Sequence, residues 1–187
     1  MRKLIYGMGV SIDGYIAGRG DDLSWSTPDP VLHAHYNAAD AAADLVLYGR
    51  GMYELMSAYW PTAGNDPSVS AEELEYQRIW LAKPKVVFSS TLTSVDWNAR
   101  LVRGDAAEEV RRLKAEAGGF MSVSGAGLAG ALMQAGLIDE YHLYIFPVIL
   151  GGGKRMFPAL SAPQALRQTE MRSFPGGVTL LRWERAL

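Results

Sequence analysis

The sequence predicts an α/β fold: a central, mostly parallel sheet flanked by helices, with an antiparallel hairpin at its C-terminal end. Three observations predict it. Short apolar and β-branched runs alternate with helix-length segments, as in strand–helix–strand units. Helix-start signals recur between those runs. A Pro175-Gly176-Gly177 turn precedes the last apolar run, as in a terminal hairpin.

Each element follows from local chemistry. Leu4 to Ile12 reads as a buried strand that ends at the Asp13-Gly14 turn. An irregular stretch through Gly18, Gly20, Ser24 and Pro28 follows. Pro30 then suits the first turn of a helix with Asp29 as its cap, and this alanine-rich helix runs to about Asp44. Leu45-Val46-Leu47-Tyr48 is a central strand, and Arg50 to Ala58 a short helix. Trp60 to Pro67 reads as loop. Ser70 and Glu73 form a capping box, and the helix behind them stops before Pro84. Lys85 to Ser90 is a strand entering a turn. Asp105 and Glu108 repeat the capping signal, and Gly118-Gly119 is read as the close of that helix. Phe120 to Ser124 is a strand, Leu128 to Ala135 a helix, Ile138 to Ile149 a long strand, and Val178 to Trp183 the last one. No internal repeat interrupts the pattern, and a single domain is expected over residues 1–187.

Composition narrows the function. With 49% hydrophobic and 20% charged residues the chain is ordinary globular material. A net charge of −2 offers no broad basic face, which disfavours nucleic acid as a partner. The absence of cysteine removes disulfides, thiolate zinc sites and a cysteine nucleophile, and fits a reducing, cytoplasmic setting. No apolar run reaches the ~18 residues of a membrane span. His33 and His35 stand two apart on a helix and so point about 200° apart, a poor start for a metal site, and none is expected.

Four strand-end turns carry the candidate chemistry, because the ligand crevice of an open α/β sheet lies at the carboxyl ends of its strands. Ser11-Ile12-Asp13-Gly14, with Trp25 downstream, puts a carboxylate where a substrate ring could meet it; a plain Asp-Gly turn is the other reading. Gly49-Arg50 at a strand-to-helix junction offers free N–H groups and a forked cation to an anion, or is simply a tight turn. Ser89-Ser90-Thr91 could hydrogen-bond a phosphate, or be a polar turn. Ser124-Gly125-Ala126-Gly127-Leu128 suits a pyrophosphate at a helix start, or a ligand-free turn of the same form. Two other glycine motifs fail. Gly7-Met8-Gly9 lacks the third glycine of the Rossmann fingerprint, and Gly153-Lys154 lacks both the earlier glycine and the Ser/Thr of a phosphate-binding P-loop. Gly151-Gly152-Gly153 is read as a place for close backbone packing or substrate access.

In order and spacing, these pieces resemble the dihydrofolate reductase-like superfamily, and more closely the reductase domain of bacterial riboflavin biosynthesis, the RibD C-terminal type, as a free-standing relative. The matching stretches are Ser11 to Ala17, Trp25, Gly49-Arg50 with Tyr53-Glu54, Val86 to Leu92, Ser124 to Leu128, and Gly136 to Gly153. The resemblance implies a three-layer dihydrofolate reductase-like fold. It also implies an NADPH-dependent oxidoreductase similar to the 5-amino-6-(5-phosphoribosylamino)uracil reductase, acting on a small heterocyclic or carbonyl substrate.

By matched position, Gly49 and Arg50 would approach the cofactor phosphates and Ser89 and Ser90 the ribose 2′-phosphate. Ser124, Gly125, Ala126, Gly127 and Leu128 would cradle the pyrophosphate, and Ile16 and Ala17 would border the nicotinamide. Asp13, Trp25 and Tyr53 would meet the substrate. For the proton that follows the hydride, Asp29 or Asp13, with a pKa raised by burial, could relay it directly or through water, and protonation by solvent is the other reading. Two departures stand out: Met52 occupies the place of a cofactor-binding threonine, and Ser124-Gly125 replaces a Gly-Gly pair. Folate reduction is accordingly disfavoured. A non-catalytic nucleotide-binding or dimerising module of the same fold is the alternative. A homodimer is expected, in which the strand Tyr141 to Phe146 and the C-terminal strand could pair across the two-fold axis; the other reading is that both complete the sheet of one subunit.

Overall fold

The computed structural model describes residues 1–186 and contains the expected alternation. In chain order the elements are β1 (Leu4–Ser11), β2 (Tyr15–Ala17), α1 (Pro30–Ala42), β3 (Leu45–Gly49), α2 (Arg50–Tyr59), α3 (Ala71–Ala82), β4 (Lys85–Phe88) and β5 (Ala99–Val102). They continue with α4 (Ala106–Ala115), β6 (Met121–Ser124), α5 (Ala126–Gln134), β7 (Glu140–Phe146), β8 (Lys154–Arg155), β9 (Leu166–Ser173) and β10 (Thr179–Arg185).

Eight strands make one sheet in the order β5-β4-β3-β6-β1-β7-β10-β9, while β2 and β8 form a small ribbon of their own. Strands β1 and β3 to β7 are all parallel. Only the C-terminal hairpin runs the other way locally: β10 is antiparallel to both β7 and β9.

The caps read from the sequence form as expected. The Asp29 carboxylate accepts from the Leu32 amide ahead of Pro30, Ser70 and Glu73 close a reciprocal capping box, and Asp105 accepts from the Glu108 amide. Several boundaries differ. The helix α4 ends at Ala115, with Glu116 as its C-cap, before the two glycines. The long strand shortens to Glu140–Phe146 because the chain leaves the sheet at Pro147. The helix expected from Leu128 begins at Ala126. The pairing surface expected for a dimer is also corrected: β7 lies between β1 and β10, and β10 between β7 and β9, so neither has a free edge to offer a second copy. Among the described residues no helix is long and apolar enough to cross a membrane.

The parallel arrangement positions the site. Because β4, β3, β6, β1 and β7 are neighbours running in one direction, the turns after Phe88, Gly49, Ser124, Ser11 and Phe146 lie side by side along one sheet edge. One face of the sheet is a continuous core, where Leu4, Tyr6, Leu47 and Val123 pack with Val110, Leu113 and Leu132 of α4 and α5. The other face is split. Leu32 of α1 joins Tyr144, Phe146 and Leu180 in one cluster. Tyr53 of α2 joins Val46, Tyr48 and Val87 in another. The strip between them carries small or polar residues, Gly7 and Gly9 on β1 and Ser122 and Ser124 on β6, and no helix fills it.

The β2–β8 ribbon, whose Ile16 packs into the core on the α4–α5 face, is pinned by one glycine. Gly153 has φ 132°, and a Cβ there would lie 2.0 Å from the Ala17 carbonyl oxygen. Close backbone packing, one of the two uses expected of the triple glycine, is what occurs. Gly153→Ala is therefore expected to cost about 2 kcal/mol or more of stability, read as a lowered urea midpoint.

Candidate functional site

The strip between the two clusters is the floor of a groove of about 1200 Å³. Its walls are His35 and Tyr36 of α1, the segment Ser26-Thr27-Pro28, and Met56, Tyr59 and Trp60 at the end of α2. It reaches Ser124 at the carboxyl edge of the sheet. The glycines on β1 keep the floor low. A Cβ on Gly9 would stand 3.1 Å from the Phe146 ring, and one on Gly7 3.3 Å from His142 Cβ.

Two helix starts meet at the groove's edge. Helices α1, α3 and α4 are capped by side chains. Helices α2 and α5 have glycine N-caps, Gly49 and Gly125, and no side-chain cap. They touch: a Cβ on Gly49 would lie 3.5 Å from Leu128 Cβ, and one on Gly125 3.2 Å from Met52 Cβ. Gly125 holds φ 96°, a conformation other residues rarely adopt. Arg50 opens α2 with an exposed side chain that has no acceptor among the described residues, and nothing lies within 4 Å of a Cβ built on Gly127. The first-turn amides of both helices, with their positive dipole ends, thus converge on one place.

The serine turn lies two strands away from β6, past β3. Ser89 Oγ accepts from the amides of Thr91, at 3.2 Å, and Leu92, at 3.0 Å, which fixes the turn. Ser90 is exposed. Arg103, which belongs to no motif, latches the turn by donating to the carbonyls of Ser90 at 3.3 Å and Leu92 at 2.5 Å.

The residues expected to meet substrate have other occupations. The Asp13 carboxylate accepts from the Ser11 hydroxyl at 2.7 Å and from the amides of Leu150 and Gly151 at 3.1 and 2.7 Å. It therefore ties the β1 turn to the glycine loop after β7. The Ser11 hydroxyl first, then those amides, hold its pKa down to about 2. Asp29 accepts from Leu32 and from Gly176 at 2.8 Å, joining α1 to the hairpin turn, and its pKa is likewise lowered, chiefly by the Leu32 amide. The raised pKa expected of both carboxylates is thus corrected: donors surround them where burial was anticipated. Tyr53 is buried, with its Oη accepting from the Asp96 amide at 2.8 Å. Trp25 donates to the Asp22 carbonyl and stacks edge-on against Phe146. None of these four lines the groove. Ile16 and Ala17 are packed in the ribbon, almost fully buried.

The histidines separate as the helix period requires. His33 leans toward Tyr76 of α3, whereas His35 contacts Tyr144 on β7 and Phe174. His142 lies on the groove floor 3.3 Å from Glu140, its pKa lowered by burial and then by Arg182.

A mostly parallel sheet flanked by helices and closed by a C-terminal antiparallel hairpin is the dihydrofolate reductase-like fold. Comparison with known proteins agrees. The profile of the RibD C-terminal domain matches residues 2–180. The uncharacterised protein YyaP of Bacillus subtilis strain 168 is 32% identical over 178 residues, covering 95% of this chain and 92% of YyaP. Among solved structures, a Shewanella sp. PV-4 protein with a provisional riboflavin-biosynthesis name superposes with TM-score 0.78 at 23% identity, covering 99% of each chain. The dihydrofolate reductase of Enterococcus faecalis, in complex with NADP(H), superposes with TM-score 0.65 at 12% identity, covering 98% of this chain and 96% of that one. The chain belongs to the RibD C-terminal domain family.

The tether at Asp13 has a pH signature. Its folded pKa of about 2 lies below the ordinary 3.8, so its contribution is complete above about pH 4 and is lost as the pH falls toward 2. Asp13→Asn should lower stability at pH 7 and flatten the acid limb between pH 4 and 2, checked by urea titrations across that window.

Proposed function

We propose that this chain is an NADPH-dependent reductase that delivers a hydride to a small heterocyclic or carbonyl substrate held in the side groove. The observation that carries the reading is the pair of glycine-capped helix starts, Gly49-Arg50 and Gly125-Ala126, meeting at the end of that groove. A diphosphate brings the acceptors and the negative charge that two such ends lack. The open space at Gly127 leaves room for it, so the residues fit a dinucleotide. Membership of the RibD C-terminal family and the NADP(H) complex of the dihydrofolate reductase neighbour support the choice of nucleotide.

When bound, a reduced nicotinamide supplies the hydride. The chain's own residues do the rest. The first turns of α2 and α5 hold the diphosphate, and Arg50 adds a cation beside it. The turn Ser89-Ser90, latched by Arg103, meets the ribose 2′-phosphate. The walls formed by α1 and the end of α2 exclude water from the floor over Gly7 and Gly9. Asp13 and Asp29 act as ties that keep the walls in place.

Thermal-shift titration with NADPH and NADH tests the reading. NADPH should stabilise the protein as a specific ligand does. Gly127→Asp places a carboxylate in open space at a helix start, which the fold tolerates and a phosphate does not. It should leave stability intact and weaken NADPH at least tenfold, about 1.4 kcal/mol. Arg50→Ala should weaken NADPH and NADH alike, since both carry the diphosphate beside it. Unchanged nucleotide affinity in Gly127→Asp would remove the assignment.

A further inference from the structure

The hydride reading leaves the proton without a donor among the expected carboxylates, since Asp13 and Asp29 are both committed to backbone amides. The groove wall offers another acid. Tyr144 stands on β7 opposite Gly9 of β1 and Leu180 of β10, with its side chain on the groove face. Tyr36 packs edge-on against its ring, at 4.7 Å between centroids, and holds it in place. Tyr144 Oη lies 3.2 Å from His35 Nε2. On the other side of the imidazole, Arg172 Nη1 lies 3.4 Å from Nδ1.

The direction of this chain of bonds follows from donor chemistry. A guanidinium has donors only. Nδ1 therefore accepts from Arg172, and the ring proton sits on Nε2. Nε2–H in turn donates to Tyr144 Oη. The phenolic hydrogen finds no acceptor on the histidine and is free for one in the groove.

We propose that Tyr144 is the catalytic acid of the groove, positioned by His35, whose tautomer Arg172 sets. The substrate class follows: a carbonyl or imine whose oxygen or nitrogen abuts Tyr144 while its carbon faces the nicotinamide. The inference rests on the reductase reading.

The step balances. As hydride bonds to the carbon of C=X, the π pair becomes a lone pair on X. The Tyr144 O–H bond breaks and the X–H bond forms, leaving a phenolate. The Nε2–H of His35 stabilises the phenolate, which then takes a proton from water and leaves hydroxide to the solvent, so one hydride and one proton have been added across C=X and His35 keeps its Nε2–H tautomer. The surroundings suit these states. Burial pushes the phenol up to about 12, against the nearby Arg182, so it is protonated at neutral pH. Burial, then Arg172 and Arg182, lower the His35 pKa against Glu170, so the ring starts neutral.

Two readouts test this. The first is nitrogen-resolved NMR of the imidazoles, with His35 assigned by His35→Gln. It should show a neutral Nε2–H ring at pH 7, with the Nε2 signal moved by Tyr144→Phe and the tautomer balance moved by Arg172→Leu. A protonated or Nδ1–H His35 overturns the proposal. The second is NADPH oxidation with 4-nitrobenzaldehyde and 3,4-dihydroisoquinoline as probes. Tyr144→Phe should lose roughly 100-fold or more in kcat, the usual weight of a general acid, while its thermal shift with NADPH is unchanged. A loss under about threefold overturns the catalytic role. A wild type that binds NADPH yet reduces neither probe overturns the substrate class. A wild type that NADPH does not stabilise overturns the reductase reading instead, which separates the two failures.

Discussion

The proposed chemistry depends on two helix N-termini that no side chain caps. A helix start carries about half a positive charge and several amides without partners. Most helices meet that need internally, and α1, α3 and α4 do so with Asp29, Ser70 and Asp105. Helices α2 and α5 begin at glycine. Because they follow β3 and β6, which are hydrogen-bonded neighbours running the same way, their ends are held together rather than apart. In the proposed reading, an outside anion with acceptors spaced along it completes the pair.

The groove is a consequence of what the sheet lacks. A parallel strand is ordinarily covered on both faces. On β1, one face is covered by α4 and α5, while the other presents Gly7 and Gly9 between two apolar clusters. The carboxylates near its mouth act at long range in the sequence. Asp13 joins β1 to the loop after β7, and Asp29 joins α1 to the hairpin turn at Gly176. Their pKa values fall because amides and a hydroxyl point at them. This favours rigid walls and moves the proton question to Tyr144.

Local chemistry made much of this legible. The caps at Asp29, Ser70 and Asp105 depend on contacts three residues away, and all three were readable. The strand-end turns gathered on one edge because a parallel sheet leaves them no other place. What depended on distant partners was hidden. Asp13 and Asp29 look alike as turn, cap or acid until Leu150, Gly151 and Gly176 are seen beside them. The strand β9, Leu-Arg-Gln-Thr-Glu-Met-Arg-Ser, is a polar edge strand without the alternation that marks a half-buried one. The resemblance implies a substrate contact at Tyr53, yet the helix period turns it into the cluster with Val46 and Val87. Gly7-Met8-Gly9 was rightly set aside as a nucleotide fingerprint, but glycines alternating within a strand already signal a close approach on one face.

A crystal structure of the protein soaked with NADPH bears most directly on the central claim. The account predicts the diphosphate within hydrogen-bonding distance of the first-turn amides of both α2 and α5, with the nicotinamide over the groove floor near Gly9. A nucleotide seated elsewhere on the surface, or one that engages neither helix start, would contradict it.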